Sequence, residues 1–299
     1  MTHKPEQPIG SAPSAPAGAG VRLLSPRHLA FVLPLVLLHA SCVLVAFTGI
    51  SKPALGAFFC ASAIQAFGIT AGYHRLLAHG AFKTSRPVRF VFALCGVLAG
   101  QNGPLWWVGH HRYHHLHADR DGDPHSPGRG FFWSHMGWLF SPDCVPVRRG
   151  LVADLARRPE LVALERYSYF FNLGHAALLY AIGEVWRICQ PAAGTSGLQF
   201  VVYGFVLSTV WVYHAIWSAN SVCHRYGFRR YDTPDNSRNN LFVSLAIFGD
   251  GWHHNHHYCP WSARHGFRWW EIDLNFAILV LLRRLGLVWN LRVPPKPCC

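Results

Sequence analysis

The sequence predicts an all-α integral membrane protein. Four transmembrane helices form two hairpins, and a helical cap on the cytoplasmic side holds a histidine-rich centre for two metal ions. Three observations carry this prediction. Charged residues make up 14% of the 299 residues and hydrophobic ones 51%, against about 25% charged in soluble domains. Four apolar stretches, 29–50, 53–73, 168–189 and 198–219, are each long enough to cross roughly 30 Å of hydrocarbon. Nine histidines gather into three boxes and one outlier. Roughly four or five imidazoles complete the shell of one transition ion, so nine predict two.

Taken in order, residues 1–21 are rich in Pro, Ala, Gly and Ser without an apolar core. That composition reads as a disordered tail and not as a signal peptide. The first two spans are joined by Ser51-Lys52-Pro53 and the last two by 190–197, both tight turns. The connection 74–167 carries twelve basic residues, whereas the two turns hold only Lys52. By the positive-inside rule that connection, both termini and everything after 220 are expected on the cytoplasmic side of a bacterial-type inner membrane. The stretch 88–105 is apolar but short, ending in Gln101-Asn102-Gly103-Pro104. It reads as an interfacial or buried helix, because a fifth span would put the second box across the membrane from the first. The stretch 274–289 holds Arg283 and Arg284 and reads as amphipathic and interfacial. One membrane domain is expected over 22–290, followed by a short tail, 291–299.

The net charge of +13 fits positive-inside loops and anionic headgroups. With membrane segments present and no basic repeat, a nucleic-acid partner is excluded. Nine cysteines show no C-x-x-C spacing. They read as small buried hydrophobes in a reducing compartment, with Cys298-Cys299 an unpaired end.

The boxes are His74 with His79; His111, His114 and His115; His253, His256 and His257; and His224 stands apart. Residues three and four apart share a helix face, so the second and third boxes can each present three nitrogens to one cluster. His74 and His79 are five apart, about 140° around an ideal helix. Either the helix ends or bends between them, or they serve metals on different sides. His74 follows span two and His224 follows span four, so all nine converge on one predicted face. His39, His175 and His214 lie inside spans and read as core or interfacial. His110, His117, His125, His135, His254 and His265 flank the boxes and read as partners of the ligands or substrate contacts.

With these motifs the chain resembles the membrane fatty-acyl desaturases of the stearoyl-CoA desaturase type, over roughly 29–290. The resemblance rests on His74-Arg75-Leu76 with His79, Asp123-Pro124-His125-Ser126-Pro127, Gly130 to Trp138, Asn220-Ser221-Val222-Cys223-His224, Gly249-Asp250-Gly251-Trp252-His253, and Arg264 to Glu271. It implies a non-haem di-iron centre on His74, His79, His111, His114, His115, His224, His253, His256 and His257, with Asn220 meeting a metal through water. It also implies O2 as co-substrate and a cis double bond, at the delta-9 position, in a fatty-acyl chain carried on CoA, a lipid or a carrier protein. Asn102, Trp106, Trp107 and Trp138 are the implied substrate contacts, and Arg148 and Arg149 could meet a phosphorylated headgroup or carrier. Acyl-CoA members carry an Arg-Asp pair where this chain has Gly109 and His110, and His254 stands where asparagine is common. No His-Pro-Gly-Gly haem motif and no G-x-G-x-x-G after a strand occurs. Electrons are therefore expected from a separate protein, a ferredoxin or cytochrome b5 with its reductase, docking on the basic face. A hydroxylase or ketolase of a hydrocarbon or carotenoid shares such boxes and is the rival reading. A histidine-rich metal transporter or sensor is disfavoured, because the spans hold no Asp or Glu except Glu184. A zinc hydrolase is disfavoured because no H-E-x-x-H occurs.

Overall fold

A computed structural model describes residues 25–294. The segment read as a disordered tail, 1–21, the terminal Cys298-Cys299 and most of the tail 291–299 lie outside the described residues. The architecture is almost entirely helical. The helices are α1 (Pro26–Thr48), α2 (Lys52–Ala78), α3 (Arg86–Val97), α4 (Pro104–His117), α5 (Phe131–His135), α6 (Pro159–Arg166), α7 (Ser168–Cys189), α8 (Gly197–Ser221), α9 (Leu241–Ala246), α10 (His253–Tyr258) and α11 (Leu274–Arg284).

Their starts follow from local chemistry. Ser51, Ser85 and Ser196 each accept a hydrogen bond from the amide three residues on, and prolines occupy the first turns of α2 and α3. Asn240 and Asp273 cap α9 and α11 in the same way.

Among the described residues three helices, α1, α2 and α8, are long and apolar enough to cross a membrane. The third expected span, α7, forms over its expected bounds but does not join them. Asn172, His175 and Glu184 lower its apolarity, and Glu184 accepts from the amide of Gly197 at the start of α8 at 2.8 Å. Span two also runs further than expected: α2 continues beyond residue 73 to Ala78, so His74 lies inside the helix and not after it. The stretch 88–105 is a partly buried helix only to Val97, broken by 98–103. After α11, Val288–Trp289 pairs with Lys83–Thr84 in a two-stranded antiparallel sheet that the sequence pattern did not predict.

The two hairpin turns meet. Ser51 Oγ donates to Gln199 Oε1 at 2.6 Å, Gln199 Nε2 to Thr48 O at 2.8 Å and the Tyr203 hydroxyl to Gly49 O at 3.0 Å. Midway, Gln65 Nε2 donates to Ser208 and Thr209. Polar bridges suit apolar surroundings, where an unpaired amide costs several kcal/mol. Helices α2 and α3 cross at Gly68 and Gly72. A Cβ at either would fall within about 2.2–2.6 Å of the α3 backbone, so only glycine permits the contact.

Candidate metal centre

The second half of α2, Gly68–Ala78, is a π-helix, and His79 N donates to His74 O in the i→i+5 pattern. That wider turn answers the spacing problem of the first box. In an ideal α-helix the rings would diverge, but here their centroids lie 5.0 Å apart. The second box lies on α4 and the third on the six-residue α10. His224 follows the end of α8.

The nine expected ligands sort into two sets. His74, His79, His111, His115 and His256 form one, and His114, His224, His253 and His257 the other, with ring nitrogens in each set within 4.8 Å of one another. The Nε2 atoms converge: His79 to His111 at 2.8 Å, His256 to His115 at 2.9 Å, His74 to His256 at 3.0 Å, and His253 to both His224 and His257 at 3.1 Å. Such nitrogen-only shells suit a divalent transition ion. His114 Nε2 is buried without a partner and His253 is 4% exposed, so these nitrogens stand ready to ligate a buried ion. Burial, and after it neighbouring imidazoles, hold His79, His111, His115, His253 and His256 well below their ordinary value, which keeps them neutral.

Behind the rings stand carboxylates that the sequence reading gave no role. His74 Nδ1 donates to Asp250 at 2.6 Å, His114 to Asp123 at 3.1 Å, His224 to Asp119 at 3.0 Å and His257 to Asp235 at 3.0 Å. Each such bond fixes a tautomer and leaves Nε2 facing inward. Asp250 also binds Arg75, fully buried, at 2.6 Å, and His265 at 3.1 Å. Burial opposes ionisation of Asp250, but the charge of Arg75 beside it holds its carboxyl well below the usual range. The signal that could have found these groups is the rule that a ligating imidazole needs an acceptor for its second nitrogen.

Of the flanking histidines, His125 lies tilted 4.4 Å from His114, and His265 lies 4.7 Å from His256. His254 bridges Tyr231 N and Ser237 Oγ, holding the loop that carries Asp235. His117 turns back onto Tyr113, and His135 turns away towards α8.

Beside the sets runs a cleft with about 770 Å³ of empty space, part of it open, walled by Phe31, Leu35, Trp106, Trp107, Trp138 and Trp217. Asn102, His110, His111, His125 and Asn220 also line it, so four of the expected substrate contacts, Asn102, Trp106, Trp107 and Trp138, come together, with Asn220 beside them. Arg148 and Arg149 do not. Arg148 lies over the Tyr113 ring at 3.6 Å, and Arg149 is exposed. Trp107 stacks on His111 at 5.0 Å, so the wall touches a ligand ring. Glu165 receives the amides of Leu105 and Trp106 at 2.7 and 3.1 Å, fixing the start of α4.

Comparison with known proteins agrees with this geometry. The fatty acid desaturase family model matches residues 51–288. The chain belongs to the fatty acid desaturase family. It is 43% identical over 231 residues to an sn-1 stearoyl-lipid 9-desaturase of Anabaena variabilis, covering 77% of this chain and 80% of that one. It is 40% identical over 266 residues to an acyl-CoA 5-desaturase of Anemone leveillei, covering 87% and 78%. It is 41% identical over 225 residues to an sn-2 palmitoyl-lipid 9-desaturase of Nostoc sp. (strain 36), covering 74% of each. This desaturase is thus an oxidoreductase of fatty-acyl chains with a histidine-rich centre and membrane-spanning helices.

Proposed function

We propose that this desaturase uses two irons and O2 to place a cis double bond, at delta-9, in a saturated acyl chain borne by CoA or a membrane lipid. The observation that carries the reading is the sorting of nine imidazoles into sets of five and four beside an aromatic cleft. When bound, an iron pair supplies the oxidising power to take hydrogen from an unactivated methylene. The overall balance is one –CH2–CH2– unit, O2, two electrons and two protons giving –CH=CH– and two waters.

The protein's own part is placement and exclusion of water. Trp106, Trp107 and Trp138 would confine the chain, and Asn102 and Asn220 offer the cleft two uncharged polar groups. Asn220 lines the cleft, and the family resemblance implies that it would meet a metal through water. The carboxylates of Asp119, Asp123, Asp235 and Asp250 would keep the rings aimed.

Four spans, with α7 as the fourth, and a cytoplasmic cap in a bacterial-type inner membrane fit the mutual bonding of the two hairpin turns. The electron donor would be a separate acidic carrier, a ferredoxin or cytochrome b5 with its reductase.

The test is fatty-acid analysis of a host lacking its own desaturase, expressing this chain or His114→Ala. A cis-monounsaturated acid present with the first and absent with the second is expected, with the bond at carbon nine. A product sixteen mass units heavier, with no unsaturation, would replace the reading by hydroxylation.

A further inference from the structure

A second cavity shares no wall with the cleft. It is an apolar slot between α3 and the end of α11, with about 730 Å³ of empty space, part of it open. Phe67 of α2, Val88, Val91 and Cys95 of α3, and Leu282 and Leu287 wall it. Nothing among the described residues covers it, since Val91 is 56% exposed and Leu287 39%.

The backbone gives the slot a direction. Helix α3 runs antiparallel to α2, because Gly72 abuts Phe92 and the earlier Gly68 abuts Cys95. From the turn at Lys52 to Phe67 the helix rises about 22 Å. Phe67 and Cys95 therefore stand inside a hydrocarbon core of roughly 30 Å. The other end, at Pro87 and Leu287, lies beside the two-stranded sheet, where Thr84 Oγ1 donates to Leu287 O at 2.7 Å. Four cations rim the slot. Lys83 pairs in the sheet with Trp289, just past Leu287; Arg86 adjoins Pro87; Arg283 and Arg284 follow Leu282. Arg86 binds Glu160 at 3.1 Å, yet its side chain stays 65% exposed. The side chains of Lys83, Arg283 and Arg284 are exposed and make no hydrogen bond or ion pair among the described residues.

That pattern selects an occupant. Apolar walls that reach into hydrocarbon admit an acyl chain, and unpaired guanidinium and ammonium groups at the rim bind phosphate. A second copy of the chain, docked here about a two-fold axis, would set the same cations against each other, and like charges repel. We propose that the slot binds an anionic phospholipid, with an acyl chain between α3 and α11 and its phosphate on Lys83, Arg283 and Arg284. The lipid held there is not the substrate, because the slot and the aromatic cleft have no residue in common. The site therefore stands independently of the desaturase reading.

The test offers the detergent-solubilised, metal-loaded full chain an equimolar mixture of phosphatidylglycerol and phosphatidylcholine of identical acyl composition, and weighs the retained lipids by mass spectrometry. The wild-type chain is expected to keep phosphatidylglycerol about fivefold or more over phosphatidylcholine. Lys83→Gln with Arg283→Gln and Arg284→Gln should bring that ratio to about one at unchanged metal content. Arg157→Gln with Arg166→Gln and Arg225→Gln removes as much charge away from the slot and should leave the ratio as it was. Val91→Trp fills the slot with every cation in place and should lose most of the preference. If the first triple variant loses metal, Val91→Trp decides alone. Excess sn-glycerol 3-phosphate, a headgroup without chains, should displace none of the lipid. No preference in the wild type overturns the proposal, and so does an equal fall in both triple variants. A preference that survives Val91→Trp, or displacement by glycerol phosphate, overturns it too. Retention needs no turnover, so a chain that keeps the anionic lipid without making unsaturated acid overturns the desaturation reading and leaves the slot standing.

Discussion

The two imidazole sets are built to different plans. Three members of the four-histidine set, His114, His224 and His257, each lean on a carboxylate of their own. In the five-histidine set only His74 does, and its Asp250 is shared with Arg75 and His265. The five-member set is aimed mostly by helices, through the π-helical turn of α2 and the second box on α4. The four-member set takes His114 from α4, His253 and His257 from α10 and His224 from a helix end, and its carboxylates Asp119, Asp123 and Asp235 come from connecting segments. A hydrogen-bonded carboxylate turns and holds a ring even where a helix already carries it. The five-member set also has a buried guanidinium behind its carboxylate, Arg75, which pairs with both Asp250 and Asp273.

The sharpest way to break this comparison uses neighbours in sequence. His114 and His115 are adjacent but belong to different sets. His114→Ala and His115→Ala should each lower bound metal from about two equivalents to one and cut product at least a hundredfold, read by elemental analysis and fatty-acid profile. If either variant loses both ions, the sets are one unit.

Next in size is Asp250→Asn, which leaves the buried Arg75 with Asp273 alone and takes the charged acceptor from His74. Complete loss of a buried charge partner costs about 3–5 kcal/mol; with Asp273 still in place a smaller drop in melting temperature is expected, along with loss of metal from the five-member site.

Asp235→Asn tests the opposite brace. Removing such a partner lowers metal affinity about 10–100-fold, so competition with a chelator should weaken one ion and spare the other. Equal weakening of both would undo the assignment of Asp235 to His257.

The smallest effect is on the metal-free protein. Burial pushes His257 and His265 down to about 4. An unfolded chain binds those protons near 6.5, so between those values it holds more protons than the fold does. Stability present above about pH 6.5 is then lost as pH falls towards 4. Thermal melts across that window should decline, and a flat profile would mean that the rings are solvated.

Much of this arrangement was legible in the sequence, and the exceptions have physical causes. The second and third boxes could be read because spacings of three and four map directly onto a helix face. His74 and His79 left two alternatives open, since a π-helix is selected by packing of α2 against its neighbours and leaves no mark in spacing. The carboxylates were passed over because Asp119 and Asp235 sit in loops, where no period points at the ring they serve. Helix α7 was drawn at its true bounds but credited with more apolarity than Asn172, His175 and Glu184 allow. The strand pair Lys83–Thr84 and Val288–Trp289 joins segments two residues long that are about 200 residues apart, too little pattern to see.

The short helix α10 supplies a ligand to each set, His256 to one and His253 and His257 to the other. During synthesis, therefore, a chain that has emerged only as far as residue 252 holds four of the five rings of one set but two of the four of the other. The four-member set is completed only when the last quarter of the chain has come back to meet α4 and the end of α8.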